Sequence, residues 1–308
     1  ARAAIDCVHD NRDLYLLEHM SETSTLSPRS QAQAKRRARD EVRRVILCSE
    51  PRLRTLILFH EDCLDHSARR ASDWEGPDRL QAIMARLRNL QEFPSHELDI
   101  SSCFEKASVE LLSRVHSHEY ITFVDNLSKK IQEGGSGPDG SATQSATGEG
   151  AVIPFTPHVQ KAMFSQAQDQ LKSPDFSDTA FSAGTLRAAR RAAGAVAHAV
   201  DRVLLGRNRN AFCVVRPPGH HAGYRGLLDG GRSCGFCIFN SVAAGALHAL
   251  EAHNVERVAI VDLDIHHGNG TEDIVQRYPH PLRLFFFSMH IFDKEETYEF
   301  FPGTGAQD

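Results

Sequence analysis

The sequence predicts an α/β protein, an open parallel sheet flanked by helices. Three observations carry that expectation. From Ser182 onward, short strand-like runs alternate with helical segments, the order expected when parallel strands are joined by crossover helices. An earlier run, Thr55-Leu56-Ile57-Leu58-Phe59, is apolar throughout with a β-branched bias, which suits a buried strand. The ionisable residues then gather directly after such runs, where open α/β sheets build their sites.

Taken in order, residues 1–53 read as a peripheral segment. Asp6 to Met20 suits a short helix, and Ser27-Pro28-Arg29-Ser30 punctuates the chain. Gln31 to Arg44 is polar and carries Lys35, Arg36, Arg37, Arg39, Arg43 and Arg44. Such a run can serve as a nuclear import signal, but Asp40 and Glu41 dilute it, and it reads as a solvated helix face. The globular part is expected over 54–308. After Gly76-Pro77, Asp78 to Leu90 is amphipathic with Leu80, Ile83, Met84, Leu87 and Leu90 on one face. Val109 to Leu127 reads as helical. Residues 132–150 are rich in Gly, Ser, Thr and Ala and read as a flexible surface loop. Beyond it the sequence predicts helix over Ala183–Leu205, strand over Ala211–Val215, helix over Asn240–Ala252, strand over Val258–Ile265, helix over Thr271–Arg277 and strand over Leu284–Met289.

Composition sets outer bounds. The 308 residues are 41% hydrophobic and 24% charged, as expected of a globular chain with a sizeable core. A net charge of −5 gives no overall footprint for nucleic acid, and direct binding is not expected. No apolar run is long enough to span a bilayer, so no membrane partner is expected. Seven scattered cysteines do not read as a disulfide framework and point to a reducing compartment. A chain that begins Ala1-Arg2 is expected to be processed or cut from a longer one.

Three clusters carry chemistry. Arg216-Pro217-Pro218-Gly219-His220-His221 follows the run ending at Val215, Asp262-Leu263-Asp264-Ile265-His266-His267-Gly268-Asn269-Gly270 ends the next strand, and Ser288-Met289-His290 ends the last. Carboxylates and imidazoles at the end of an apolar strand are costly unless paired or metal-bound. On a continuing strand Asp262, Asp264 and His266 would share one face at intervals of about 6–7 Å. Asp264 and His266 can then meet on one cation. A carboxylate and an imidazole without thiolate suit catalytic zinc or iron(II), with a third protein ligand from elsewhere. Asp262 lies deeper and suits a partner that orients a histidine. His220 and His221, fixed by Pro217, Pro218 and Gly219, suit a general base and acid. Cys234-Gly235-Phe236-Cys237 has the spacing of a redox pair, but its surroundings do not resemble a thioredoxin domain, and a regulatory disulfide is the remaining alternative.

Arg216 to Ala222, Cys234 to Asn240, Asp262 to Glu272 and Phe300 to Gly305, in that order, resemble successive motifs of the zinc-dependent histone deacetylase family. Glu75-Gly76-Pro77-Asp78-Arg79 and His116-Ser117-His118-Glu119-Tyr120 are also in place, so the resemblance runs from about Leu56 to Asp308. Asn269 and the Arg-Pro-Pro-Gly lead-in are closer to the class II branch. The resemblance implies the arginase/deacetylase fold, incomplete at its C-terminus, with 54–308 as a partial deacetylase domain. It makes Asp264 and His266 zinc ligands and His220 and His221 the tandem catalytic histidines, oriented by Asp262 and Asn269 respectively. With a neutral Asn269, His221 is expected to be less basic than in members that carry aspartate. Phe236 and Phe301 would wall the acyl-lysine tunnel, Gly235 would form its floor, and Asp178 would hold the substrate backbone at the rim. Ser288 and the main-chain carbonyls around Asp262, Asp264, His266 and Met289 match a structural potassium site. The family's third zinc ligand and its oxyanion-stabilising tyrosine would fall after Asp308, so the chain as it stands is expected to be inactive. The activity implied is hydrolysis of acetyl-lysine amides on histone tails or other proteins, in nucleus or cytoplasm, with corepressors as possible partners. The alternatives are an acetylpolyamine or other small acyl-amine amidohydrolase and a non-catalytic acetyl-lysine or corepressor-binding module.

Overall fold

A computed structural model of the chain describes residues 27, 29–30, 33, 36–37, 54–67, 74–133, 143–144, 151–156, 178–226, 234–292, 301–302 and 304–305. Its regular elements are β1 (Thr55–Leu58), α1 (Asp78–Leu87), β2 (Leu98–Ser101), α2 (Val109–Ser113), α3 (His118–Gln132), β3 (Thr143–Gln144), β4 (Ala151–Pro154), β5 (Ala180–Phe181), α4 (Thr185–Leu204), β6 (Asn210–Cys213), α5 (Ser241–Ala252), β7 (Val258–Asp262), α6 (Asn269–Arg277) and β8 (Leu284–Ser288).

The strands β1, β2, β6, β7 and β8 pair in parallel, as the alternation of strands and helices requires. β1 lies between β2 and β6, with Ile57 opposite Ile100 on one side and Phe212 on the other. β7 and β8 form a second parallel pair in which Asp262 stands opposite Ser288. The single sheet expected from the sequence is thus two parallel groups among the described residues, with helices alongside. A separate small antiparallel sheet is formed by β3, β4 and β5. It falls partly within 132–150, where only a loop was expected. Two-residue strands such as β3 and β5 have no period for a sequence to display.

Local chemistry sets the helix bounds. The stretch from Val109 to Leu127 divides because Ser117 ends one segment and starts another. Ser108 Oγ accepts the Leu111 N–H at 3.1 Å and Ser117 Oγ accepts the Tyr120 N–H at 3.2 Å, two ordinary N-caps. α4 presents Ala188, Ala189, Ala192, Ala193 and Ala195, all buried, so its neighbours approach closely. A Cβ at Gly245 of α5 would lie 2.4 Å from Val196 Cγ1, which makes that crossing of α4 and α5 a glycine contact. The main core gathers Tyr120, Phe123, Phe155, Phe181 and Phe239, with Phe123 and Phe155 stacked 5.8 Å apart. Arg36 and Arg37 are helical and exposed, while the rest of the basic run and Asp6–Met20 lie outside the described residues. No helix among the described residues is long and apolar enough to cross a membrane.

Candidate active site

The site begins with a buried ion pair. Directly after the β6 strand the chain reaches Arg216, whose side chain is 1% exposed and takes Glu75 in a two-pronged grip at 2.8 and 2.7 Å. Its other N–H groups go to the carbonyls of Cys63, His66 and Glu75. A buried guanidinium is tolerable only when paired and hydrogen-bonded in this way. His66 Nε2 stands 3.4 Å from the same carboxylate. Burial leads in holding His66 below its ordinary value. Burial works against Glu75, but the hydrogen bonds from His66 and Arg216 outweigh it and keep the carboxylate ionised. This network fixes where the next residues start.

The following turn must pass close to the backbone before α5. At Gly219 a Cβ would lie 2.2 Å from the Phe239 carbonyl oxygen. His220 and His221 emerge from it with ring centroids 3.9 Å apart. His220 Nδ1 donates to Asp262 Oδ2 at 2.9 Å, and His221 Nδ1 donates to Asn269 Oδ1 at 2.8 Å. Asp262 is the last residue of β7 and Asn269 the first of α6, so both anchors sit where the second parallel pair ends. Burial alone would raise the Asp262 pKa, but the hydrogen bonds from His220 and from the Asp264 N–H hold it below the usual carboxylate value. Both rings therefore carry their proton on Nδ1, leaving Nε2 as the basic atom. His221 is pushed down to about 3, by burial first and by its neighbour His220 second. The Asn269 contact raises the value, and burial outweighs it.

The half that carries Asp264 and His266 is built differently from the expectation. β7 stops at Asp262 instead of running on to Ile265, because two side chains capture the backbone: Asp262 Oδ1 accepts the Asp264 N–H at 3.0 Å and Asp264 Oδ1 accepts the His266 N–H at 2.8 Å. The resulting bend puts Asp264 Oδ1 3.3 Å from His266 Nδ1, much closer than an extended strand allows. His220 Nε2 is 3.9 Å from the same oxygen. One carboxylate oxygen and one imidazole nitrogen side by side, with side chains 47% and 39% exposed, fit two corners of a zinc site that solvent can reach.

A narrow wall stands over these groups. Gly235 has φ +51°, and a Cβ there would lie 2.3 Å from His221 Cδ2 and 2.9 Å from Phe301 Cε1, so only glycine fits. The Phe301 ring stands edge-on to His221 at 4.8 Å and to His266 at 5.8 Å. Phe236 is left-handed at φ +65°, its N–H held by Thr179 Oγ1 at 2.7 Å. Thr179 Oγ1 in turn donates to Asp178 Oδ1 at 2.8 Å, which joins Asp178 to the Gly235-Phe236 segment. Ser288 Oγ lies 2.9 Å from His290 Nδ1, and the Asp262 carbonyl accepts the Met289 N–H at 3.0 Å. Cys234 and Cys237 are free, buried thiols, both raised by burial above the ordinary thiol value and so held in the inert protonated form.

A match to the Histone deacetylase domain covers residues 73–308, well over half of the chain. The chain belongs to the histone deacetylase family. It is 34% identical over 261 residues to Type-2 histone deacetylase 1 of Dictyostelium discoideum, covering 82% of this chain and 17% of that protein. It is also 31% identical to Polyamine deacetylase HDAC10 of Homo sapiens, covering 82% of this chain and 31% of that one. Among solved structures it resembles the HDA15 HD domain at a TM-score of 0.60 and 32% identity, over 82% of this chain and 57% of that one. The chain therefore spans less than two thirds of each of these relatives. That structural likeness carries the expected fold, a parallel sheet with flanking helices.

Family membership explains several residues to which sequence reasoning assigned no role. Glu75 and His116 stood in motifs of the resemblance without a contact to serve. His116 Nδ1 donates to the Gly223 carbonyl at 2.8 Å and its Nε2 accepts the Asn240 N–H at 2.9 Å, while Tyr120 donates to the Ile238 carbonyl at 2.6 Å. These bonds hold the tandem-histidine loop and the Cys234–Asn240 segment together. No local pattern marked these contacts, because each partner lies more than a hundred residues away.

Proposed function

We propose that this chain carries most of the active site of a zinc-dependent amidohydrolase that removes acetyl groups from lysine side chains. The observation that carries the reading is the convergence of the Nε2 face of the tandem imidazoles on the Asp264–His266 pair, with His220 Nε2 3.9 Å from Asp264. Asp264 and His266 would hold the zinc, which supplies Lewis acidity at an amide carbonyl when bound. His221, neutral at pH 7, accepts a proton at Nε2 and can return it to a leaving amine. His220, donating to the ionised Asp262, stays oriented beside it and steadies positive charge as it develops. Phe301 and Gly235 would wall the passage of a slender chain, with Phe236 and Asp178 lining its approach. Ser288, opposite Asp262 in the strand register, would belong to a structural potassium site with the carbonyls near Met289. Acetylated proteins are the proposed partners, with corepressors as a further class.

A second substrate class is favoured by one observation, the 31% identity to a protein named a polyamine deacetylase. Turnover of an acetyl-lysine peptide and of acetylputrescine by the full-length protein, each with and without chelator, separates the two. Chelator-sensitive hydrolysis of the peptide that disappears in His221→Ala supports the proposal. Acetylputrescine turnover alone supports the second reading, and binding of acetyl-lysine without hydrolysis of either would overturn both.

A further inference from the structure

At the opposite end of the fold, three further donor groups converge that take no part in the site above. Asp201 lies in the last turn of α4, His248 in α5, and His253 caps the C-terminus of α5. Asp201 Oδ1 is 2.7 Å from His248 Nε2 and 2.6 Å from His253 Nε2, and the two rings stand edge-to-face at 5.3 Å. The ligand atoms of all three lie within 4.8 Å of one another. α4 leads into β6 and α5 into β7, so this cluster sits at the strands' amino ends, whereas His220 and Asp264 lie past their carboxyl ends.

The local structure holds the three groups in place. The Gly245 contact with Val196 brings the two helices together one turn before His248. α5 then ends in a left-handed turn at Asn254, φ +53°, with the Val255 N–H bonded to the Ala249 carbonyl at 3.2 Å. Arg283 pins that turn through the carbonyls of Val255 and Leu250 at 2.7 and 3.4 Å. His253 therefore projects back over α4 instead of outward.

We propose that Asp201, His248 and His253 form a second metal site of this protein, one that takes a zinc-class divalent ion and fastens α4 to α5. Two imidazoles and one carboxylate are a complete protein donor set for zinc, with a fourth position left to water. Their Nε2 atoms already share a single carboxylate oxygen, which is the arrangement a cation would occupy between them. Shifting each ring proton to Nδ1 frees Nε2 for the metal without removing a proton from a neutral ring. Zinc bonds of 2.0–2.2 Å in a tetrahedron separate ligand atoms by about 3.3 Å. The cluster must then widen by about 0.6 Å from its 2.6–2.7 Å contacts. Side chains 18%, 20% and 40% exposed have room to move that far, and they leave an entry path from solvent. Without an ion the same residues form a hydrogen-bonded clamp, which is the alternative to be excluded.

The test uses the whole chain with its other zinc ligands removed, Asp264→Ala with His266→Ala. Stripped of metal and titrated with zinc against a chromophoric chelator, this background is expected to bind one equivalent, with a rise in melting temperature of a few degrees. Adding His253→Gln, which leaves the Asp201–His248 bond in place, should weaken that binding at least a hundredfold and abolish the rise. Asp201→Asn should do the same, and circular dichroism checks that each variant is folded. Cobalt(II) in place of zinc should give the visible bands of a tetrahedral site in the background alone. A folded background that binds no zinc, or zinc binding unchanged by both added substitutions, would overturn the proposal.

Discussion

The half of the active site after β6 and the half after β7 are positioned by different means. His221 is buried, its Nδ1 tied to Asn269, and its loop starts from an Arg216–Glu75 pair that is itself buried. Asp264 and His266 stand half open to solvent and are held chiefly by the side chain of the residue two before each. The first half is organised by the core and carries stability with it. The second is a short surface bend whose two donors are set for a cation. On the proposed reading, such a site would tie proton transfer to the fold and leave metal affinity to a few exposed atoms. Each substitution below should therefore report which half it touches.

The largest effect is expected at the start of the buried half. Arg216→Ala would leave the Glu75 carboxylate buried without its counter-ion, and breaking such a pair typically costs about 3–5 kcal/mol. Chemical denaturation should show that loss with an unchanged denaturant slope, and activity should fall with the folded fraction. A loss under about 1 kcal/mol would mean that the pair is dispensable and the loop is held by other contacts.

Next comes a pH effect from His116. Burial pushes this imidazole down to about 4, so in the folded protein it stays neutral where the unfolded chain would protonate it. Its contribution is fully present above about pH 6.5, the unfolded value, and is lost progressively as pH falls toward 4. The loss over that window is on the order of 3 kcal/mol. Unfolding free energies measured from pH 7.5 down to 4.5 should decline, and His116→Gln, compared at each pH, should flatten the decline. A variant that declines as steeply as the parent would show that His116 is not kept neutral.

Gly235→Ala should rank third. A left-handed backbone costs a non-glycine residue about 1–2 kcal/mol, and here the new methyl would also meet His221 Cδ2 at 2.3 Å. A stability loss of about 1–3 kcal/mol is expected, together with at least a tenfold fall in turnover because the imidazole is displaced. Loss of stability with turnover per folded molecule unchanged would place Gly235 outside the site.

Legibility in the sequence followed the range of the interactions. Most of the helices and the strands β1, β6, β7 and β8 could be read because their apolar periodicity or runs are local, whereas β2 and β4 were not anticipated. The clusters at His220-His221 and at Asp262, Asp264 and His266 could be read because each is contiguous. Asp262 as an orienting partner came from its facing on the strand, while the histidine it serves, and Asn269 as the partner of His221, came from family resemblance. Three things were out of reach. The Arg216–Glu75 pair spans 141 residues, and no local pattern announces which carboxylate an arginine will find. The bend after Asp262 arises from side-chain capture of backbone N–H groups, which competes with the strand that the apolar run favours. The Asp201–His248–His253 cluster depends on a helix crossing set by Gly245 and Val196, and nothing in the spacing of those three residues marks it.

The smallest stability effect, and the sharpest test of the contrast, is expected at Asp264 and His266. Neither is buried, so removing them leaves no unpaired group in the core, and exposed substitutions usually stay within about 0.5 kcal/mol. Asp264→Ala also deletes the acceptor for the His266 N–H, but that amide lies in the exposed bend, where water can replace the bond. His266→Ala removes a ring that meets Phe301 and His221 edge-on and stands 3.3 Å from Asp264 in the same bend. Melting curves of the metal-free variants should therefore overlay the metal-free parent, while the zinc held by these two residues and all chelator-sensitive turnover are lost together. A drop of several degrees without metal would show that the bend supports the fold, and the division into a core-built half and a cation-built half would fail. Retained turnover with full metal content in either variant would remove that residue from the ligand set.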